Sequence, residues 1–585
     1  MTATPVVPRT GAHRGVPSAG MLVGVDLAGI QRFVFEGQRL LDAIGRATLV
    51  ADLTDPARPY LRDLLASFGP NECEVLRDAG GALYIAFTAP GRAAQDARAF
   101  TGRYTRRLRD LSDRLTPVVA HIGYGGEGQP KTRAEALRLL PVALQGARSR
   151  PAAAHLPVLG LGVTALCEVT GRPAELLDHT RGRGTAPERV ARDIVAARDR
   201  AREWHRANST AWLRGIEAPD GFDRLELPTD VDHLGREIGD ISRLAVIHVD
   251  FNGLGGLLTR YHSALTEAGA DVVAGMRRVS EDIARLTEGL ARAVIRSVAS
   301  AITIRAGDPV IEGCGAGGRL RPRTERRTVY VPVRPVVVAG DDLTIICDAR
   351  LAWSVTRFAL HWLDADPAEL DRADPRTAMA VRAGEEPWGR RIGDTGITTG
   401  VPSAGVGIAV QPVGAPLAVG YDICAALCER AKEHRKAAEE RLDDHVVAWS
   451  HLFDDPARVV ARLAEAHGPI GADRKNARTT LPMTGSELHA FLRDYLGADT
   501  PGSLRAPAMA GQRSWLLSRL SPVLQDGRDP TAELRRRRDI GLPARLPEPF
   551  SRGRLLDALA LIDIHLDIAL ADRSAPAPHP TGDPV

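Results

Sequence analysis

Three aspartates carry the chemistry legible in this sequence. Asp341 and Asp342 follow Ala339-Gly340 between two apolar, β-branched runs, Arg334 to Val338 and Leu343 to Cys347. Short runs of that kind bounded by a turn signal read as the arms of a hairpin, whose tip delivers both carboxylates to one end of a sheet. Upstream, Leu244 to Val249 is a further buried strand that ends in Asp250 and bends through Phe251-Asn252-Gly253-Leu254-Gly255-Gly256 into a helix. Such a bend adds a third carboxylate and a row of free backbone N–H groups, which suit a triphosphate at a helix N-terminus. Together Asp250, Asp341 and Asp342 offer hard oxygen ligands to two Mg²⁺ or Mn²⁺ ions, the arrangement that stabilises attacking and leaving oxygens in nucleotidyl transfer. Gly-Asp-Asp alone is also ordinary turn chemistry, and it is the upstream acid that makes it a candidate site.

The elements that must position these groups come in a definite order. A strand with Asp250-Phe251-Asn252-Gly253 is followed by a helix over Val273 to Ile304, with Ile283, Leu286, Leu290, Ala293, Val294 and Val298 as its buried stripe. Then come the hairpin, another helix, the small-residue strand from Thr399-Gly400 through Ser403 to Ala409, and a helix bearing Ala431-Lys432. In this order and with these motifs, the stretch resembles the second palm domain of the large subunit of type III CRISPR effector complexes (the Csm and Cmr large subunits). That palm shares a superfamily with diguanylate cyclases and class III adenylyl cyclases. The resemblance implies synthesis of cyclic oligoadenylates from ATP, with Asp250, Asp341 and Asp342 as catalytic metal ligands and Lys432 on the triphosphate. Asn252, Gly253, Gly255 and Gly256 line the expected phosphate bend, and Gly340 leaves room at the hairpin tip. Ser403 is either a nucleotide contact or a strand-edge hydroxyl. The family's hairpin motif is Gly-Gly-Asp-Asp, and Ala339 stands here at its first position.

A second, weaker copy precedes the first. Met21 to Phe35, with Asp26 and a Gly29-Ile30-Gln31 bend, resembles the opening of the same family's first palm, and Cys73 to Phe87 reads as its hairpin. Setting Gly80-Gly81 on the glycine positions puts Ala82 and Leu83 where the two acids stand, so this unit is expected to be a structural palm, with Asp26 and Asp78 nearby.

The expected architecture is α/β, with two ferredoxin-like palm domains, helical inserts and a helical C-terminal domain. The units are a flexible lead (1–20), the diverged palm (21–125), a mostly helical linker (126–242), the catalytic palm (243–438), a helical domain (439–572) and a disordered tail (573–585). In the linker, Cys167-Glu168-Val169-Thr170-Gly171-Arg172-Pro173 matches a family zinc segment whose second Cys is here Thr170; a hydroxyl is a poor zinc ligand, so no structural zinc is expected. The Arg-rich helix around Arg189, Arg192, Arg198, Arg200 and Arg202 reads as a solvated, ion-paired face. The five arginines of the loop from Cys314 to Arg327 are candidates for phosphate or RNA contact, or simply solvated, and Arg535 to Arg538 read as solvated.

A net charge of +3 over 585 residues gives no global field for nucleic acid, and six scattered cysteines imply reduced thiols and a cytoplasmic setting. No run is long and apolar enough for a membrane span. The family resemblance implies ATP, guide and target RNA and other effector subunits as partners. It often adds an HD nuclease; no His-Asp dipeptide occurs here, so DNA cleavage is not expected. Two alternatives remain open, a non-catalytic scaffold that binds guide RNA and subunits, and a stand-alone nucleotide cyclase.

Overall fold

The computed structural model describes residues 19–570 apart from 38, 70, 80, 113, 150–163, 180–185, 236–242, 268, 316–317, 366–375, 377–400, 438–443, 468–476, 501–502, 510 and 537–550. Expectations for Gly80, for Thr399-Gly400, for Arg537-Arg538 and for the terminal lead and tail lie outside these residues.

The first unit runs β1 (Gly20–Ala28), α1 (Leu40–Thr54), β2 (Cys73–Ala79), β3 (Ala82–Phe87), α2 (Ala93–Leu111), β4 (Thr116–Tyr124) and α3 (Arg133–Arg148). Its strands pair antiparallel in the order β2-β3-β1-β4, a ferredoxin-like βαββαβ arrangement. Alternation along the strands separates two faces. Val23, Val25, Leu83, Ile85 and Phe87 pack with Phe100 and Tyr104 of α2, while Leu22, Tyr84, Ala86 and Ala120 pack with Ala136, Leu140 and Leu144 of α3.

Helix α4 (Arg192–Trp212) clamps the linker onto α1. The two approach so closely at Gly45 that a Cβ there would lie 1.8 Å from the Ala197 carbonyl oxygen. Arg198, expected on a solvated face, is instead buried and bonded to Asp42 of α1, Asp178 and Glu188 at 2.7–2.8 Å. Arg200 likewise reaches Asp52 of α1 at 2.5 Å, whereas Arg189 and Arg192 do form exposed pairs with Glu168 and Glu175. A guanidinium tolerates such burial only when several carboxylates surround it, and those partners are too distant in sequence to be read from one helix. The segment expected to have lost zinc closes on itself: Cys167 N–H donates to the Arg172 carbonyl at 2.6 Å, and the Cys167 side chain packs with Val190, Ala191 and Ile194.

The second unit runs β5 (Arg243–Phe251), α5 (Leu254–Glu267), α6 (Val272–Ser300), β6 (Val333–Ala339), β7 (Asp342–Asp348), α7 (Ala352–Asp364), β8 (Ala404–Pro412) and α8 (Leu417–Ala437). Its strand order β6-β7-β5-β8 repeats that of the first. The expected stripe of α6 is buried at Ile283, Leu286, Leu290, Val294 and Val298, with Ala293 half-buried at its margin. Two more strands extend the sheet: β9 (Val446–Ser450), parallel to β8, and β10 (Met483–Thr484). The stretch after 439 is therefore not helical throughout. Val446–Ser450 is fully buried, and so short an apolar run has no period that separates strand from helix.

Pairing sets the alignment of the two units. Ala79 pairs with Ala82 and Ala82 with Asp26; Ala339 pairs with Asp342 and Asp342 with Asp250. Both hairpins also carry a bulge at the same place, between Val75 and Arg77 and between Pro335 and Val337. The positions of Asp341 and Asp342 are thus held by Gly81 and Ala82, one residue earlier than glycine matching suggested. The first unit lacks both hairpin acids in either register. No helix among the described residues is long and apolar enough to cross a membrane.

Candidate functional site

The acids meet at one end of the second sheet. Asp250 closes β5 and Asp342 opens β7, and the two are direct cross-strand partners. Their side chains therefore leave the same face, with Cβ atoms about 4.5–5.5 Å apart. Gly340 and Asp341 form the two-residue tip between the paired Ala339 and Asp342. Gly340 has φ 60°, the left-handed backbone that the first central position of a II′ hairpin turn requires. Thr287 of α6 donates to the Gly340 carbonyl at 2.5 Å and so ties the tip to the long helix. Ala339 lies in the strand itself and is not among the described residues of positive φ, so a side chain there carries no backbone strain.

Two like charges across a ladder repel, and the structure sets a lysine against one of them and an imidazole beside the other. Lys432 of α8 donates to Asp250 Oδ2 and, at 3.1 Å, to Glu429. His248, on the same face of β5, places Nδ1 3.3 Å from Asp342 Oδ1 and 3.3 Å from Thr344 Oγ1. Asp342 Oδ1 is buried and has no hydrogen-bond partner. Burial pushes the Asp250 carboxyl above its usual range; Lys432 opposes that shift and Asp341 adds to it. Burial works against the Lys432 ammonium, but the hydrogen bond and charge of Asp250 overcome it and hold its pKa above the ordinary value.

Lys432 had been expected on a triphosphate, and here it is bonded to Asp250. It nevertheless stands where the expectation needs it. Asn252, Gly253, Gly255 and Lys432 line a common pocket of 470 Å³ with Arg435 and Lys436. Gly253 has φ 72°, and its carbonyl accepts the Leu257 N–H, which turns the chain from β5 into α5. A Cβ at Gly255 would meet nothing within 4 Å, and Gly256 in the same turn lies nearest Arg260, so side chains leave space around this first helical turn, whose N–H groups have no intrahelical partner. Ser403 accepts from the Asn252 side chain at 3.2 Å, and its carbonyl accepts the Asn252 N–H at 2.7 Å. These two residues brace the strand ends against each other. None of Arg319, Arg321, Arg323, Arg326 and Arg327 lines either cleft of the site, and the expected loop is drawn into short strands.

The acids also line a larger cleft, of 2120 Å³, that the two units share. Across it, Asp26 of β1 occupies the place of Asp250 and is ion-paired with Arg148. Arg148 is the sixteenth residue of α3, as Lys432 is of α8. The unit without acids at the two tip positions therefore keeps the same acid and cation pair. At the joint, Tyr421 of α8 stacks on Phe35 of the first unit at 4.3 Å and meets His248 edge-on at 5.6 Å. His248, Tyr421 and Arg148 were not singled out from the sequence. An imidazole two residues before an acid on one strand was the only local signal, since i and i+2 share a face.

Among the described residues, no three carboxylate, imidazole or thiol groups form a ready-made metal cage. The donors nonetheless fit Mg²⁺, which is held by one or two carboxylates plus substrate phosphates rather than by an all-protein cage. The orphaned Asp342 Oδ1 beside an exposed Asp341 is such a partial donor set.

No family model and no curated protein matches the sequence. Among solved structures, the chain is similar to Csm1 in T. onnurineus, with TM-score 0.51 and 15% identity over 94% of this chain and 69% of that one. It is similar to a chain of the apo Csm1-Csm4 cassette at TM-score 0.51 and 13% identity, and of that cassette in complex with cA4 at 0.50 and 13%, each over 94% of this chain and 70% of the other. At these identities the likeness is one of fold, a mixed α/β architecture of the palm type.

Proposed function

We propose that this chain is a metal-dependent nucleotidyltransferase that converts ATP to oligoadenylates, cyclic ones included, as the palm-bearing large subunit of a type III CRISPR effector in antiviral defence. The observation that carries the reading is Asp342 directly opposite Asp250, with Asp341 on the adjoining tip, in the wall of a cleft shared with a twin unit. Adenylate as the substrate class is supported by the likeness in fold to a cassette solved with cA4 and with pppApApA.

Asp250, Asp341 and Asp342 would hold two Mg²⁺ or Mn²⁺ ions, which when bound supply Lewis-acid stabilisation of the attacking and leaving oxygens. The chain's own groups do the rest. The open N–H groups from Gly253 to Gly256 receive the phosphates, where the N-terminus of a 14-residue helix favours negative charge. Lys432, already charged and 15% exposed, moves from Asp250 to the departing pyrophosphate, with Arg435 and Lys436 beside it. His248 lies 3.3 Å from Asp342 Oδ1, and the Asn252–Ser403 bond keeps the strand ends in place.

Incubation with ATP and Mg²⁺ or Mn²⁺, with and without target RNA bound to guide, tests the proposal. Oligoadenylate and pyrophosphate must appear with the wild type and vanish when Asp341→Ala and Asp342→Ala are combined. Product from the double variant overturns the assignment of the acids. No product from the wild type under any of these conditions leaves the scaffold reading.

A further inference from the structure

Arg334 has no part in that scheme, yet its placement demands an account. It stands near the start of β6, the edge strand of the second sheet, and is 0% exposed. None of its three guanidinium nitrogens has a hydrogen-bond partner among the described residues. The Trp204 ring, with its centroid 4.7 Å away, softens the charge. Burial alone holds the guanidinium down to a pKa of about 9. An isolated buried charge is among the most costly arrangements a fold can keep, and an unsatisfied native group of this kind points to a missing anion.

The surroundings specify that anion. Arg334 and Trp204 both line the 2120 Å³ cleft whose other end holds Asp341 and Asp342, and Asn208 and Trp212 line it beside them. Trp212 stands edge-on to Trp204 at 5.2 Å. Aromatic faces, an amide and a guanidinium fork are the groups that receive a base and a phosphate. From Arg334 to Gly340 the strand advances roughly 20 Å, at about 3.3 Å per residue, a span longer than one nucleoside triphosphate.

Building on the nucleotidyltransferase reading, we infer that Arg334, Trp204 and Asn208 form a second anion subsite at the far end of the cleft, which takes a phosphate of a short adenylate chain whose reactive end lies at Asp341 and Asp342. On entry the half-buried Trp204 indole turns aside, and a cation–π contact is exchanged for a charge-assisted, two-pronged hydrogen bond. The linker helix α4, which carries Trp204 and Asn208, thereby becomes a wall of the nucleotide site.

Calorimetric titration of the full chain without divalent cation tests this, with inorganic tripolyphosphate and linear pppApApA as probes. The wild type should bind two tripolyphosphates, one at the Lys432 pocket and one at Arg334. Arg334→Met should lose one of them, bind pppApApA at least tenfold more weakly, and melt no lower than the wild type, because it sheds an unpaired buried charge. Arg334→Lys should restore part of the binding. A single equivalent in the wild type, or two in Arg334→Met, overturns the inference. So does a lower melting temperature of Arg334→Met with unchanged binding, which marks a structural prop, or competition by long single-stranded RNA as strong as by pppApApA. Binding is read here without metal or turnover. A wild type that makes no oligoadenylate yet binds two tripolyphosphates sinks the catalytic proposal and leaves the subsite standing.

Discussion

Replacing Asp342 by Asn should stabilise the metal-free protein while abolishing nucleotidyl transfer. Asp342 faces Asp250 across the ladder. Two unit charges about 5 Å apart repel by about 3 kcal/mol at an effective dielectric of 20. Their side chains are 31% and 26% exposed, and Lys432 sits on Asp250, so solvent and counter-charge screen the repulsion. About 1 kcal/mol should remain to be recovered, a rise of about 2–4 °C if the second unit melts on its own. The sign with pH follows from Asp250, whose carboxyl is held above its ordinary value first by burial. A carboxyl raised in the folded state costs stability as pH rises through its folded pKa, and that cost is absent below the unfolded value. The gain from Asp342→Asn is thus expected at neutral pH and should shrink as pH falls through the raised pKa of Asp250. Melting curves at low ionic strength with EDTA, repeated with Mg²⁺, read both effects. Mg²⁺ should stabilise the wild type more than the variant, and transfer should fall by roughly 10² or more. A variant that melts lower in EDTA, or gains as much from Mg²⁺ as the wild type does, refutes the reasoning.

Other substitutions probe the frame around the site. A Cβ at Gly407 would lie 1.8 Å from the Cys424 carbonyl oxygen, so Gly407→Ala must lift α8 off β8. It should cost about 1–3 kcal/mol in denaturant melts and displace Lys432, lowering activity as well. Arg198→Met removes the buried cation that Asp42, Asp178 and Glu188 share, Glu188 keeping its second bond to Arg39, and a loss of about 3–5 kcal/mol in thermal or denaturant unfolding is expected. Burial raises the Asp557 carboxyl to about 6, against its bonds from Thr479 and Thr480. Its contribution to stability is full below the unfolded value of 3.8 and is lost as pH rises through about 6, by about 3 kcal/mol. The wild-type minus Asp557→Asn difference, followed across that window, should show this slope.

What the sequence made legible was local. Apolar runs, turn residues and their order located Asp250, Asp341, Asp342 and the glycine bend, because each is signalled within a few residues of itself. Pairing across strands leaves no such signal. Gly80-Gly81 looked like the natural match for Ala339-Gly340, and only the ladder shows that Gly81 and Ala82 hold the acid positions. The same blindness hid His248 beside Asp342, Arg148 beside Asp26 and the carboxylates that enclose Arg198. It hid Arg334 for the opposite reason, since a buried arginine with no hydrogen-bond partner among the described residues contradicts the composition rule that charged residues lie outside.

The twin units separate what the fold needs from what the chemistry needs. Both keep an acid at the end of the first strand and a cation sixteen residues into the closing helix, Asp26 with Arg148 and Asp250 with Lys432. Only one keeps acids at the two positions of the hairpin tip. A pair retained where the two tip acids are replaced by Gly81 and Ala82 serves to close the helix over the sheet end, so Lys432 has an architectural role as well as a phosphate to meet. Arg148→Ala and Lys432→Ala should then each cost stability, about 1 kcal/mol or less for such partly exposed pairs, with the more enclosed Lys432 the costlier. Nucleotide affinity and transfer should fall in Lys432→Ala alone. If Lys432→Ala leaves stability untouched while Arg148→Ala lowers it, the two pairs are not equivalent, and the lysine belongs wholly to the nucleotide.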